Sequence, residues 1–139
     1  MTDGDASGRW PIAAAALLLA LATVAGAMGA HVLAAQWAPA RMHVYDIAVR
    51  YQFYQALGLF GMGLWLSRSK PDDLAPPKRR ALRWCAAVAW ALLAAIVLFC
   101  GGLYALCFGA PAWVGMVTPA GGTLFIVAWV GFALGVWRS

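Results

Sequence analysis

Residues 84–137, WCAAVAWALLAAIVLFCGGLYALCFGAPAWVGMVTPAGGTLFIVAWVGFALGVW, run without a single charged side chain. A helix rises about 1.5 Å per residue and the hydrocarbon core of a bilayer is about 30 Å thick, so about 20 apolar residues complete one crossing. The stretch is therefore long enough for two crossings joined by a turn. Gly109-Ala110-Pro111 marks the end of the first, and Thr118-Pro119 with Gly121-Gly122 marks a second interruption before the last span. Lipid offers the backbone no hydrogen bonds, so the irregular chain between these breaks is expected as an interfacial or re-entrant turn.

Toward the N-terminus lie two further uncharged intervals, Trp10 to Ala40 and Tyr51 to Ser67. The first holds one span. The second reaches full length only if its helix begins near Ile47 and carries Arg50 close to an interface. The expected fold class is all-α: an integral membrane bundle of four transmembrane helices, with spans at about 11–33, 47–66, 82–108 and 122–137. Composition agrees, with 64% hydrophobic and 11% charged residues, against about 45–50% and about 25% in a soluble domain. Residues 1–10 read as a disordered polar tail and 11–137 as a single domain. Ala25-Gly26-Ala27 resembles a signal-peptide cleavage site. Asp3 and Asp5 beside the single Arg9, and apolar sequence continuing to Ala35, favour a retained first span.

The segment SRSKPDDLAPPKRR, residues 67–80, opens the one extensive polar connection, 67–81. Its prolines and charges argue against a continuous helix and for a water-exposed loop. With four crossings, Arg9, Arg68, Lys70, Lys78, Arg79, Arg80, Arg83 and Arg138 share one side, against Arg41 and Arg50 on the other. Positive residues stay in the cytoplasm, which predicts an N-in/C-in protein of the bacterial inner membrane. Topology thus accounts for the net charge of +5, and Asp72 and Asp73 dilute the cluster, so the lipid bilayer is the expected partner and nucleic acid is not.

Polar groups within spans are costly, which makes their positions informative. His31, Arg50, Gln52, Gln55, Tyr104 and Thr118 all fall in the outer half of this arrangement, where they could line an outward-facing ligand pocket. Tyr51, Gln55, Gly58, Met62 and Trp65 follow helical steps and are expected to face inward. The plainer reading is that these groups bond across helices, each pair contributing about 0.6 kcal/mol. His31 has no second membrane histidine to complete a metal or haem site, and Cys85, Cys100 and Cys107 form no CxxC pair, so no metal or cofactor is expected. Without a nucleophile and base, a phosphate-cradling glycine loop or paired carboxylates, the chain does not read as an enzyme. Gly131 and Gly135, and Ala22, Gly26 and Ala30, make smooth strips for helix packing, within the chain or between copies.

Four blocks occur in order: Gly26-Ala-Met-Gly-Ala-His31, Tyr51-Gln-Phe-Tyr-Gln-Ala-Leu57, Phe99-Cys-Gly-Gly-Leu-Tyr104 and Val117-Thr-Pro-Ala-Gly-Gly122. Their order and spacing resemble the signature blocks of the YgdD/YwdK-like small membrane proteins, domain-of-unknown-function family 423, over about residues 11–137. The resemblance implies a four-helix inner-membrane protein and no established activity. His31, Gln52, Tyr104, Thr118, Pro119, Gly121 and Gly122 match those blocks. Gln55 stands where relatives usually have histidine, and Cys100 and Gly102 where they have serine, which weakens a proton-transfer or hydroxyl-based mechanism. The leading expectation is a structural or interaction protein that packs with itself, as a homo-oligomer, or with a membrane partner. The second is binding or transport of a lipid, a quinone-like molecule or a small solute at the outward-facing polar cluster.

Overall fold

The computed structural model describes residues 3–68 and 75–138, and these are helical apart from short connections. Helix α1 (Asp3–Met28) runs directly into a π-helical turn, Gly29–Leu33. Helix α2 spans Pro39–Ser67. Helix α3 (Pro76–Ile96) continues through a second π-helical turn, Val97–Gly101, into α4 (Gly102–Cys107). Helix α5 (Val114–Trp137) completes the four rods. Three of them, Arg9–Leu33, Pro76–Cys107 and Val114–Trp137, are long and apolar enough to cross a membrane. The fourth, α2, has the length, but Arg41, Asp46 and Arg50 occupy its first half.

Side-chain neighbours fix how the rods run. Pro11 and Ile12 lie against Gly63, and Gly29 lies against Tyr45, so α1 and α2 are antiparallel. Cys85 meets Gly135 and Phe99 meets Gly121, so α3–α4 and α5 are antiparallel too. Tyr51 and Trp65 of α2 meet Phe125 and Phe132 of α5 in the same order, which makes those two parallel. The result is an up-down-up-down arrangement around Leu59, Met62 and Leu66 of α2, Cys85 and Leu92 of α3, and Phe125 of α5, all fully or almost fully buried. The outer surface is apolar: Leu17 is 67% exposed, Ile126 67% and Met116 76%. Water would penalise that surface, whereas lipid tails solvate it without cost.

The helix limits depart from the sequence expectation at several points. Helix α1 begins at Asp3, within the stretch read as a polar tail. Helices α2 and α3 begin earlier than expected, at Pro39 and at Pro76-Pro77. Proline is at home in a first turn, where no N–H is needed. The break expected at Thr118-Pro119 and Gly121-Gly122 does not occur, because α5 runs through all four residues. Pro119 lies near the start of α5 and removes only one backbone bond, while the Thr123 hydroxyl bonds to its carbonyl at 3.0 Å. The connection before α5 is a short turn. Gly109, at φ 93°, lets α4 close, with Gly109 N–H bonding Leu106 O at 3.2 Å and Ala110 N–H bonding Ala105 O at 2.9 Å.

Both π turns have a packing role. In the first, Ala34 N–H reaches back to Gly29 O at 2.9 Å, the wide spacing of a π-helix, and Gly29 makes room for the Tyr45 ring. In the second, the backbone at Phe99 lies so close to α5 that a methyl group on Gly121 would stand 2.6 Å from Phe99 N. Gly121→Ala should therefore destabilise the fold. Overpacking costs about 1–3 kcal/mol, more than the roughly 1 kcal/mol gained by replacing a helical glycine with alanine. Gly61→Ala, where a Cβ meets nothing within 4 Å, should be neutral or stabilising. Thermal unfolding in detergent checks both, with a lower midpoint expected for the first variant only.

Candidate functional site

The fully buried face of α2 carries Tyr45, Ala48, Val49, Gln52, Ala56, Leu59, Met62, Gly63 and Leu66. Of the stripe expected to point inward, Met62 does so, while Tyr51, Gln55, Gly58 and Trp65 are turned to one side, toward α5 and the second π turn. The Tyr51 ring lies tilted against Phe99 of the second π turn, with centroids 4.9 Å apart, and stacks on Phe125 of α5 at 6.3 Å; Gln55 Oε1 accepts a bond from Trp129 Nε1 at 2.8 Å, and Gly58 makes room for the Trp129 ring. Helical periodicity identifies such stripes but does not say which of two adjacent ones lies deepest.

Gln52 is the polar centre. Its Nε2 donates to the Leu18 carbonyl of α1 at 2.8 Å, and its Oε1 accepts from the Tyr104 hydroxyl of α4 at 2.8 Å, so one side chain ties three rods together. One turn and more along α2, the Tyr45 hydroxyl donates to Ala25 O at 2.8 Å, and its ring meets Tyr104 edge-on at 5.4 Å. At the end of the bundle, Arg41 Nε donates to Cys107 O at 2.7 Å while its guanidinium lies 4.3 Å from the centre of the Trp37 ring. Among the described residues, no buried side-chain nitrogen or oxygen lacks a hydrogen-bond partner.

The six residues grouped from sequence do not converge. Gln52 and Tyr104 bond directly. Gln55 turns to Trp129 on α5. Thr118 is buried beside Gly102, with its hydroxyl 3.5 Å from Val114 O. His31, on the first π turn, and Arg50 are exposed. Of the residues read as packing strips, Gly131 and Gly135 sit within the chain, against Trp84, Cys85 and Val88 of α3. Gly26 faces Val49, and Ala30 is exposed, outside the α1–α2 seam. Two ties between rods had no sequence signal: Tyr45, bonded to Ala25 O, and Trp84, whose Nε1 donates to Gly131 O at 2.8 Å.

A cleft gives the Gln52–Tyr104 pair its context. Helices α1 and α3 are joined by the stacked rings of Trp10 and Trp90, with centroids 3.9 Å apart. Farther along they separate and leave a cleft of about 390 Å³ on the flank of the bundle. Leu21 and Met28 form one wall and Val97 and Gly101 of the second π turn the other, with Gln52 and Tyr104 between them. The volume suits a small ring or a length of acyl chain, and the lining is mostly hydrocarbon. An amide carries two N–H donors, of which the bond to Leu18 uses one, and the Tyr104 oxygen can still accept. The cleft thus offers an apolar slot with one hydrogen-bonding spot at its base.

Long apolar helices, a hydrocarbon-facing exterior and internally paired polar groups define a multi-pass α-helical membrane protein. Residues 25–122 match the family described as Protein of unknown function (DUF423), and the chain belongs to that family. It is 32% identical over 123 residues to the UPF0382 membrane protein SSP2132 of Staphylococcus saprophyticus, covering 88% of this chain and 92% of that one. It is 33% identical over 110 residues to the UPF0382 membrane protein YwdK of Bacillus subtilis, covering 79% and 81%. A UPF0382 membrane protein of Haemophilus influenzae is 30% identical over 114 residues, covering 82% of each. No solved structure matches the chain.

If Gln52 bridges three rods, Gln52→Leu should cost about 1–2 kcal/mol, because it strands the Tyr104 hydroxyl. Tyr104→Phe should cost less, and a double-mutant cycle between them should give a coupling of about 0.6 kcal/mol, measured by reversible unfolding in mixed micelles.

Proposed function

We propose that the chain crosses the bacterial inner membrane four times, N-in/C-in, and that it binds an amphipathic apolar molecule from the bilayer in the cleft between α1 and α3 without transforming it. The four-crossing topology draws support from the antiparallel order of the rods. That order gathers Arg9, Arg68, Lys78, Arg79, Arg80, Arg83 and Arg138 at one end and leaves Arg41 and Arg50 toward the other. The uncharged part of α2, Tyr51–Ser67, spans about 26 Å at 1.5 Å per residue, which crosses most of the hydrocarbon when its neighbours shield Gln52 and Gln55.

The observation that carries the binding proposal is the polar pair Gln52–Tyr104 at the base of an apolar cleft open on the flank of the bundle. A lipid-like or quinone-like molecule, with a hydrophobic body and one carbonyl or hydroxyl, matches that pattern. Transport of a small solute along the bundle axis fits less well, because the cleft opens to the side. Association with a second copy or a membrane partner ranks behind binding, because Gly131 and Gly135, which suggested it, are covered by α3 of the same chain.

Decylubiquinone and dioctanoylglycerol serve as probes. At least one should raise the unfolding temperature of the detergent-solubilised protein saturably, by up to about 2.7 kcal/mol of stabilisation at a hundredfold excess over Kd. Gly101→Phe places a ring at a cleft position with open space around it and should abolish the shift, whereas Gly61→Phe, equally open but on α2 outside the cleft, should preserve it. No saturable shift with either probe, or one that Gly101→Phe leaves intact, overturns the proposal. For topology, a fluorescent-protein fusion after Arg138 should glow and a phosphatase fusion after Gln36 should be active. The reverse pattern would invert the assignment.

A further inference from the structure

At the opposite end of the molecule from the Arg41–Cys107 bond, α3 begins and α5 finishes side by side. Arg79, Arg80 and Arg83 from the first turns of α3 and Arg138 just after α5 line a single recess of about 810 Å³. Pro76 and Pro77 stiffen its rim, since proline fixes the backbone of the first helical turn. A second, smaller recess of about 180 Å³ shares Pro77, Arg80 and Arg138 with the first and continues along the α3–α5 seam past Trp84 and Leu134. The Trp84 indole is 55% exposed, yet its Nε1–H is anchored to Gly131 O. Gly135 lies close against Cys85 and Trp84, and its backbone lines the same recess. A cationic basin therefore opens into an apolar groove with an aromatic wall, and the groove follows the helices toward the bilayer interior.

We propose that this feature binds one anionic phospholipid, with the phosphate of its headgroup among the four arginines and an acyl chain along the Trp84–Leu134 groove. Guanidinium groups bond phosphate oxygens in pairs, which makes clustered arginine well suited to phosphate. Basic pockets between membrane helices at the positive end of a bundle recognise acidic headgroups in this way. The apolar groove is what selects a lipid over free phosphate or nucleic acid, neither of which has anything to place there. This site shares no lining residue with the cleft that holds Gln52 and Tyr104, so either can fail without the other.

The test is native mass spectrometry of the full chain released from micelles containing equal parts of phosphatidylglycerol and phosphatidylcholine of the same acyl chains. The spectrum should show one retained phosphatidylglycerol in preference to phosphatidylcholine. Arg80→Gln with Arg138→Gln should reduce that retention by roughly tenfold or more, whereas Arg68→Gln with Lys78→Gln, the same charge loss at the same end, should change it less than about twofold. Size-exclusion profiles identical to the parent establish that both pairs remain folded. Excess glycerol 3-phosphate, a headgroup without chains, should fail to displace the lipid. Equal loss from both charge pairs, indifference between the two lipids, or displacement by glycerol 3-phosphate would each overturn the proposal.

Discussion

A packed apolar interior offers no hydrogen-bonding partners of its own, so every polar group buried in it must be met by another part of the same protein. In this chain the demand falls on Gln52, and its amide turns the demand into architecture. Donating to the Leu18 carbonyl of α1 and accepting from Tyr104 of α4, it sets the depth at which three rods must align. Sliding α2 along its axis by a helical turn, about 5.4 Å, would break both bonds at once, and sliding either neighbour would break the one it shares with Gln52.

The other ties between rods follow the same logic and share a chemical form. Tyr45 donates to Ala25 O, Trp84 to Gly131 O and Arg41 to Cys107 O, so in each case a side-chain donor reaches a backbone carbonyl on a neighbouring rod. Carbonyl oxygens have two lone pairs, and a helix uses one for its own ladder, leaving the second for such contacts. Close approach makes them reachable. Gly29, Gly121, Gly131 and Gly135 remove the side chains that would hold the rods apart, and the π turns shift the backbone locally to complete the fit. A polar network pointed at carbonyls does not consume the remaining capacity of Gln52 and Tyr104, which is why a cleft beside them can also serve a ligand.

The overall architecture was largely legible before any coordinates. Charge-free intervals of helical length gave rods in nearly the right places, and the Gly109-Ala110-Pro111 stop agrees with the observed end of α4. The failures share a cause. Pro119, Gly121 and Gly122 look like breakers in isolation, but in α5 the glycines serve approach to Phe99 and the proline lies too near the helix start to cost more than one bond. Likewise His31, Gln52, Gln55, Arg50, Tyr104 and Thr118 have similar depths along the chain, and depth says nothing about rotation around the bundle. Rotation separated Gln55 toward Trp129 and left His31 and Arg50 on the exterior.

The sequence by itself determined that this is a helical membrane protein and where its long apolar helices lie to within a few residues. Both properties are additive along the chain, since hydropathy is summed over about 20 residues. Only the tertiary structure decided that Gln52 and Tyr104 meet while Gln55 turns away, that Gly131 and Gly135 are spent inside the chain, and that α1 and α3 part to leave a cleft. Those outcomes depend on the angle each helix presents to its neighbours, and that angle is set by packing among all four rods at once.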